Sequence, residues 1–176
     1  MFRLFSRFVF WIFGWSVEGK LPKEKKYVII VAPHTSNWDF MIGLFTRSIM
    51  KLKSKFLGKA PLFKPPIGWL FYALGGYPVD RSKSTNLVDK VVEIFDAHEE
   101  FIIAVAPEGT RKKVKKWKSG FYHIAYGAGI PILMAGIDYQ TKCVYFSDLF
   151  WPTGDYEKDM VEIMNFYKDK KGKIKH

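Results

Sequence analysis

The chain has 176 residues, 18% of them aromatic, one cysteine, and a net charge of +11 from 28 Lys and Arg against 17 Asp and Glu. That length suits one domain with its own hydrophobic core, and the lone Cys143 excludes an internal disulfide, a thiolate zinc cluster and a CxxC redox pair, so a reducing compartment is the expected home. The surplus of cations favours anionic partners, a class that includes phosphorylated metabolites, acidic lipid surfaces and nucleic acid.

In chain order, residues 1–15 are apolar and aromatic, broken by Arg3, Ser6, Arg7 and Gly14. Arg3, Arg7 and Gly14 fall near one face of a helix, which makes the segment amphipathic with a narrow polar stripe. It is too short and too charged to span a bilayer, and no small-residue cleavage site of a signal peptide follows it. An interfacial helix with aromatic rings in the acyl boundary and Arg at the headgroups is expected over residues 1–17, the alternative being a helix packed on the domain's own core.

Residues 27–32 are an apolar, β-branched run that reads as a strand; Pro33 ends it, and Ser36 or Asn37 is placed to cap a helix from Trp38 to about residue 50. A short strand over 54–59 leads to a Pro- and Gly-broken stretch over 61–68, a short helix over 69–74, and a turn and short strand over 75–81. Helical periodicity runs over 86–99, a second buried strand over 101–106, and a basic loop over 111–118. A helix at 120–127, a third apolar strand at 130–137, a short strand near an edge at 144–146, a helix at 155–167 and a frayed basic tail over 168–176 complete the chain. Strands alternating with helices predict a single α/β domain over 18–176, with a largely parallel central sheet flanked by helices.

His34 and Asp39 are five residues apart. On one regular helix they would point about 140° away from each other, so they meet only across a turn. A strand, a proline and a helix start between them supply that turn. Asp39 in the first helical turn can then accept the Nδ1 proton of His34 and leave Nε2 free as a general base. The same residues are also compatible with a helix-capping carboxylate beside an ordinary loop histidine.

A second strand stops in the same way, with Pro107, Glu108, Gly109, Thr110 and Arg111 on its exit loop. Ligands of α/β folds bind beyond the carboxyl ends of the strands, so the two clusters are expected to share one crevice. The fork of Arg111 suits a phosphate or a carboxylate, although Glu108 and Arg111 can equally form a structural ion pair. The six cations of the 111–118 run suit an anionic lipid surface first, a solvated loop second, and nucleic acid a distant third, because no nucleic-acid fold signature accompanies them. His98, His123 and His176 read as surface or packing residues, and no cluster has metal-ligand spacing.

Taken together, these blocks resemble the glycerophosphate and lysophospholipid acyltransferase family. His34 and Asp39 match its His-x4-Asp block, residues 76–81 its block ending in Arg, here Arg81, residues 107–111 its Pro-Glu-Gly-Thr-Arg block, and residues 129–132 its late apolar block, over roughly residues 27–140 in all. Pro33, Pro78, Ala106 and Lys112 depart from the residues usual in the family and leave the acceptor open.

The resemblance implies an O-acyltransferase on the cytoplasmic face of the membrane. It would be held peripherally and take a fatty acyl group from acyl-CoA or acyl-carrier protein, with no bound cofactor, metal or nucleic-acid partner. A lysophospholipid, 1-acylglycerol 3-phosphate foremost, is the implied acceptor; an aminolipid acceptor or a non-catalytic membrane-binding module are the alternatives. His34 would be the base and Asp39 its partner. Arg81, Glu108, Gly109, Thr110 and Arg111 would bind the acceptor, and Pro131 would shape the acyl-donor side.

Overall fold

The structure, a computed structural model, describes residues 1–79 and 87–174. Helix α1 (Phe2–Phe13) runs into the short strand β1 (Ser16–Glu18), and β2 (Lys26–Ala32) leads through the His34 loop to α2 (Trp38–Met50). Then come β3 (Lys55–Lys59), a 3-10 turn (Ala60–Phe63), α3 (Gly68–Ala73), β4 (Gly76–Val79), α4 (Leu87–Ala97) and β5 (Phe101–Val105). The chain closes with α5 (Gly120–Gly127), β6 (Ile132–Asp138), β7 (Cys143–Phe150) and α6 (Tyr156–Tyr167).

The strands form one seven-stranded sheet in the order β1-β7-β6-β2-β5-β3-β4, and β6 with β7 is its antiparallel pair. The expected α/β architecture with a largely parallel sheet is therefore present. Two elements differ from expectation. Residues 144–146 lie near an edge as expected but belong to an eight-residue strand, and the edge itself is β1, too short to announce itself by periodicity, which pairs along the outer side of β7.

β2 sits at the centre, between β5 and β6, and its alternating side chains serve opposite faces. Val28, Ile30 and Ala32 join the main core, with Val91 and Phe95 of α4, Phe121 and Tyr122 of α5, and Ile163 and Tyr167 of α6. Ile29 and Val31 point to the other face, where α2 lies over the sheet and α1 packs beside it. Three helices fill the first face. The second is incompletely covered, and that asymmetry leaves room for a cavity.

α1 docks on the domain by one flank. Phe10 is buried with Ile42, Ile137 and Val144, the Phe2 ring packs tilted and the Phe5 ring edge to face against Phe45, and Arg3 Nε donates to the Ile49 carbonyl at 3.1 Å. A cation at that terminal turn of α2 also complements the helix dipole. The expected polar stripe is thus used differently: Arg3 and the buried Ser6 turn towards the protein, while Leu4, Phe8 and Trp11 stay 72%, 56% and 77% exposed. The core-packing alternative therefore describes one flank of the helix, and the opposite flank is an exposed apolar one. Among the described residues no helix is long and apolar enough to cross a membrane.

Candidate functional site

β2 and β5 are parallel neighbours in register, Ile30 opposite Val105, so their exit loops leave the sheet side by side. The Glu108 carboxylate closes the gap by accepting the backbone N–H of His34 at 2.9 Å. The crevice expected from the two strand ends exists, and Glu108 ties its walls together. Gly109 adopts a left-handed φ of 66°, and a Cβ there would lie 2.7 Å from the Lys118 side chain, so glycine lets the loop turn close under that lysine.

The His34 Nδ1 lies 3.1 Å from Asp39 Oδ2, closing the pair that sequence spacing left open. Asp39 stands in the first turn of α2 and is 3% exposed. Its Oδ2 also accepts the N–H groups of Thr35 and Ser36 at 2.7 and 2.8 Å, and its Oδ1 accepts the Tyr139 hydroxyl at 2.6 Å. Of the two expected caps, Ser36 serves, its hydroxyl accepting the Trp38 N–H at 3.2 Å, while Asn37 makes no side-chain cap and the carboxylate of Asp39 reaches back to the loop as well.

Burial raises the Asp39 carboxyl, but hydrogen bonds from His34, Tyr139, Ser36 and Thr35 outweigh it and hold the group below the ordinary carboxylate range. Burial, reinforced by its bond to Asp39, pushes the Tyr139 phenol far above its usual value, so it remains a donor. A fixed anion on Nδ1 selects the imidazole tautomer with a free Nε2.

From this polar mouth a cavity of about 690 Å³ extends between the sheet and α2. His34, Asp39, Gly109, Thr110 and Arg111 stand among its lining residues, and its apolar walls include Ile29, Val31, Ala104, Ala135 and Ile137. α2 crosses it from Asp39 to Arg47, about 12 Å along the helix axis. Gly43 lines the cavity, and a Cβ placed there meets nothing within 4 Å. The buried Thr46 hydroxyl, also on the wall, has no hydrogen-bond partner among the described residues.

The structure therefore brings together His34, Asp39, Glu108, Gly109, Thr110 and Arg111. Thr110 Oγ1 also accepts the Lys112 N–H at 3.3 Å, which braces the loop. Arg81 lies outside the described residues. Pro131 is placed differently from expectation: it precedes β6, its carbonyl accepts the Val28 N–H at 3.0 Å, and it does not line the cavity. Val28 is six residues before His34, which puts Pro131 about 20 Å from the dyad, at the amino end of the sheet.

His98 bonds the Ile94 carbonyl and His123 stacks on Tyr156, packing roles as expected. Cys143 is buried and its thiol raised, chiefly by that burial. In the basic loop Trp117 is the anchor, set against Tyr167 at the edge of the main core, while the lysines around it are exposed.

Sequence reasoning missed Tyr139, 100 residues from its partner Asp39, and Gly43. For Gly43 a signal existed, since glycine inside a helix costs about 1 kcal/mol and so asks for a reason.

A family model described as Acyltransferase matches residues 15–138. The chain is 28% identical over 131 residues to the 1-acyl-sn-glycerol-3-phosphate acyltransferase of Escherichia coli (strain K12), covering 69% of this chain and 52% of that one. It is 30% identical over 125 residues to the 1-acyl-sn-glycerol-3-phosphate acyltransferase of Saccharomyces cerevisiae, covering 66% and 40%. The chain thus spans about half the length, or less, of these relatives. A similar solved structure is the 1-acyl-sn-glycerophosphate (LPA) acyltransferase PlsC from Thermotoga maritima, with a TM-score of 0.64 and 20% identity over 98% of this chain and 80% of that one. At that identity the likeness is one of fold.

Proposed function

The chain belongs to the acyltransferase family, and from that premise we propose that it moves a fatty acyl group from a thioester donor to a lysophospholipid acceptor at a membrane surface, with 1-acylglycerol 3-phosphate as the preferred acceptor. The observation that carries this reading is the His34–Asp39 pair at the mouth of an apolar cavity. Its relatives' names supply the acceptor.

In the reaction, Nε2 of His34 takes the proton of the acceptor hydroxyl as its oxygen attacks the thioester carbonyl, while the carboxylate of Asp39 stabilises the imidazolium. Collapse of the tetrahedral intermediate breaks the C–S bond, and the imidazolium returns its proton to the departing thiol. Attack is direct, so no acyl-enzyme forms and the buried Cys143 plays no part. Arg111, on the cavity wall beside His34, supplies a fork suited to the acceptor phosphate, and we assign Arg81 to the same anion on the strength of its block. Glu108 holds the loops in place through the His34 N–H, and Thr110 borders the acceptor. The acyl chain lies along α2, and the donor is acyl-CoA or acyl-carrier protein.

The exposed flank of α1 supports peripheral attachment, with Leu4, Phe8 and Trp11 entering the acyl boundary. The exposed lysines of the 111–118 loop then meet anionic headgroups, each worth about 1 kcal/mol near such a surface. We place the protein on the cytoplasmic face.

Purified protein given acyl-CoA or acyl-carrier thioesters and 1-acylglycerol 3-phosphate is expected to release one thiol per diacyl product. Because a side chain at Gly43 enters open space, Gly43→Leu is expected to fold normally and to shift donor preference towards shorter chains, by about ten-fold for the longest accepted chain. Competition among thioesters of graded length reads this; an unchanged preference would remove the acyl chain from the cavity along α2.

A further inference from the structure

Of the tail expected to fray over 168–176, residues 175 and 176, His176 among them, lie outside the described residues, and the rest is instead bound to the loops of the dyad. The Tyr139 N–H donates to the Lys171 carbonyl at 2.8 Å, the Lys171 N–H donates to Asp138 Oδ1 at 3.2 Å, and the Ile174 N–H donates to Thr35 Oγ1 at 3.3 Å. Lys173 Nζ sits 4.8 Å above the Trp38 ring at the start of α2. At Gly172 the backbone lies so close to Thr35 that an added Cβ would stand 2.6 Å from its methyl group.

The two residues this segment grips, Thr35 and Tyr139, are two of the groups that hold Asp39, one through its N–H at 2.7 Å and the other through its hydroxyl at 2.6 Å. The Tyr139 ring is held on another side by Trp15, edge to face at 5.0 Å. The family match ends at residue 138, so Tyr139 and the segment 168–174 lie outside it, while Thr35 and Asp39 lie within it.

We propose that Tyr139 and the segment 168–174 form a brace for the His34–Asp39 pair, with Tyr139 a positioning residue that acts through Asp39 and the segment setting Tyr139 and Thr35. A carboxylate bound to histidine through one oxygen can rotate about its own axis. The Thr35 and Ser36 N–H groups restrain that rotation at Oδ2, and the short bond on Oδ1 restrains it from the other oxygen, so that Oδ2 stays on Nδ1. Asp138 makes the turn rigid enough for this, since it is 5% exposed and also accepts the Gln140 N–H and the Thr141 hydroxyl. The functional consequence rests on the acyl-transfer reading above; the geometric one does not.

Two variants separate the parts. Tyr139→Phe keeps the ring on Trp15 and removes the hydroxyl, while Gly172→Val forces the segment off Thr35 without touching the core. Each is expected to lower kcat about ten-fold or more with KM within about two-fold, since neither residue touches substrate. The double variant is expected to fall well short of the product of the two effects, because both act through Asp39.

An independent readout is the downfield proton NMR signal of His34 Nδ1–H, which both variants are expected to shift or broaden while thermal unfolding still shows a folded protein. Wild-type kcat and an unmoved resonance in both variants would overturn the brace. If the wild type transfers no acyl group, the acyl-transfer reading fails, and the resonance alone decides the brace.

Discussion

Asp39→Ala is expected to abolish acyl transfer and to destabilise the domain by about 3–5 kcal/mol, because it strands the Thr35 and Ser36 N–H groups and the Tyr139 hydroxyl in a buried place. Against a typical total of roughly 5–15 kcal/mol that is a large share. Asp39→Asn separates the two consequences. It keeps the volume and one acceptor oxygen but turns an NH2 group towards a donor, so transfer should fall by at least about a hundred-fold in a protein that still folds.

The pH dependence follows from the depressed carboxyl of Asp39. A group with a folded-state pKa below its unfolded value gives stability that is fully present above the unfolded value, about 3.9 for Asp, and is lost as pH falls through the folded value. Acid titration of unfolding should show that loss in the wild type. In Asp39→Asn the corresponding decrement should be missing, and an identical acid limb in the two proteins would contradict the hydrogen-bonded, charged state assigned to Asp39.

The second large effect concerns α1. Replacing Leu4, Phe8 and Trp11 together by serine is expected to weaken binding to anionic phospholipid vesicles by at least about a hundred-fold, since each buried apolar side chain contributes roughly 1.5–3 kcal/mol. Thermal stability should change little, as these three side chains point away from the domain. Deleting the whole helix would be a poorer test, because Phe10 belongs to the core with Ile42, Ile137 and Val144. Raising the salt concentration should weaken what the basic loop adds and spare the aromatic part. Vesicle sedimentation measures both, and undiminished binding by the triple variant would reject α1 as the anchor.

Much of the fold was legible because local chemistry and tertiary environment agreed. The runs at 27–32, 101–106 and 130–137 are apolar throughout because one face of their strands lies in the main core and the other forms the apolar floor beneath α2, part of it the cavity wall, and the structure shows β2, β5 and β6 there. The helices at 120–127 and 155–167 carried periodic apolar faces and were placed within a residue of α5 and α6. β1 was not legible, since three residues cannot display an alternation.

Within the site, the turn between His34 and Asp39 could be reasoned from a strand end, a proline and a helix start. The Glu108 bond to the His34 N–H could not, because a carboxylate's choice among donors depends on loop geometry. Pro131 misled for a related reason: a block of sequence was assigned to the crevice although its strand runs with its amino end away from it. The tail shows the limit most clearly. Its lysines and glycine describe a solvated end, while what fixes it is backbone hydrogen bonding to Asp138, Tyr139 and Thr35, which composition does not encode.

Deprotonation of the acceptor hydroxyl by Nε2 of His34 is the step on which the proposed reaction turns. It is tested most directly by single-turnover transfer from a thioester to 1-acylglycerol 3-phosphate, comparing wild type with His34→Ala at saturating substrates. Stoichiometric product and free thiol are expected from the wild type, and from the variant a rate at least about a hundred-fold lower with the fold retained. Equal transfer rates in the two proteins would contradict it.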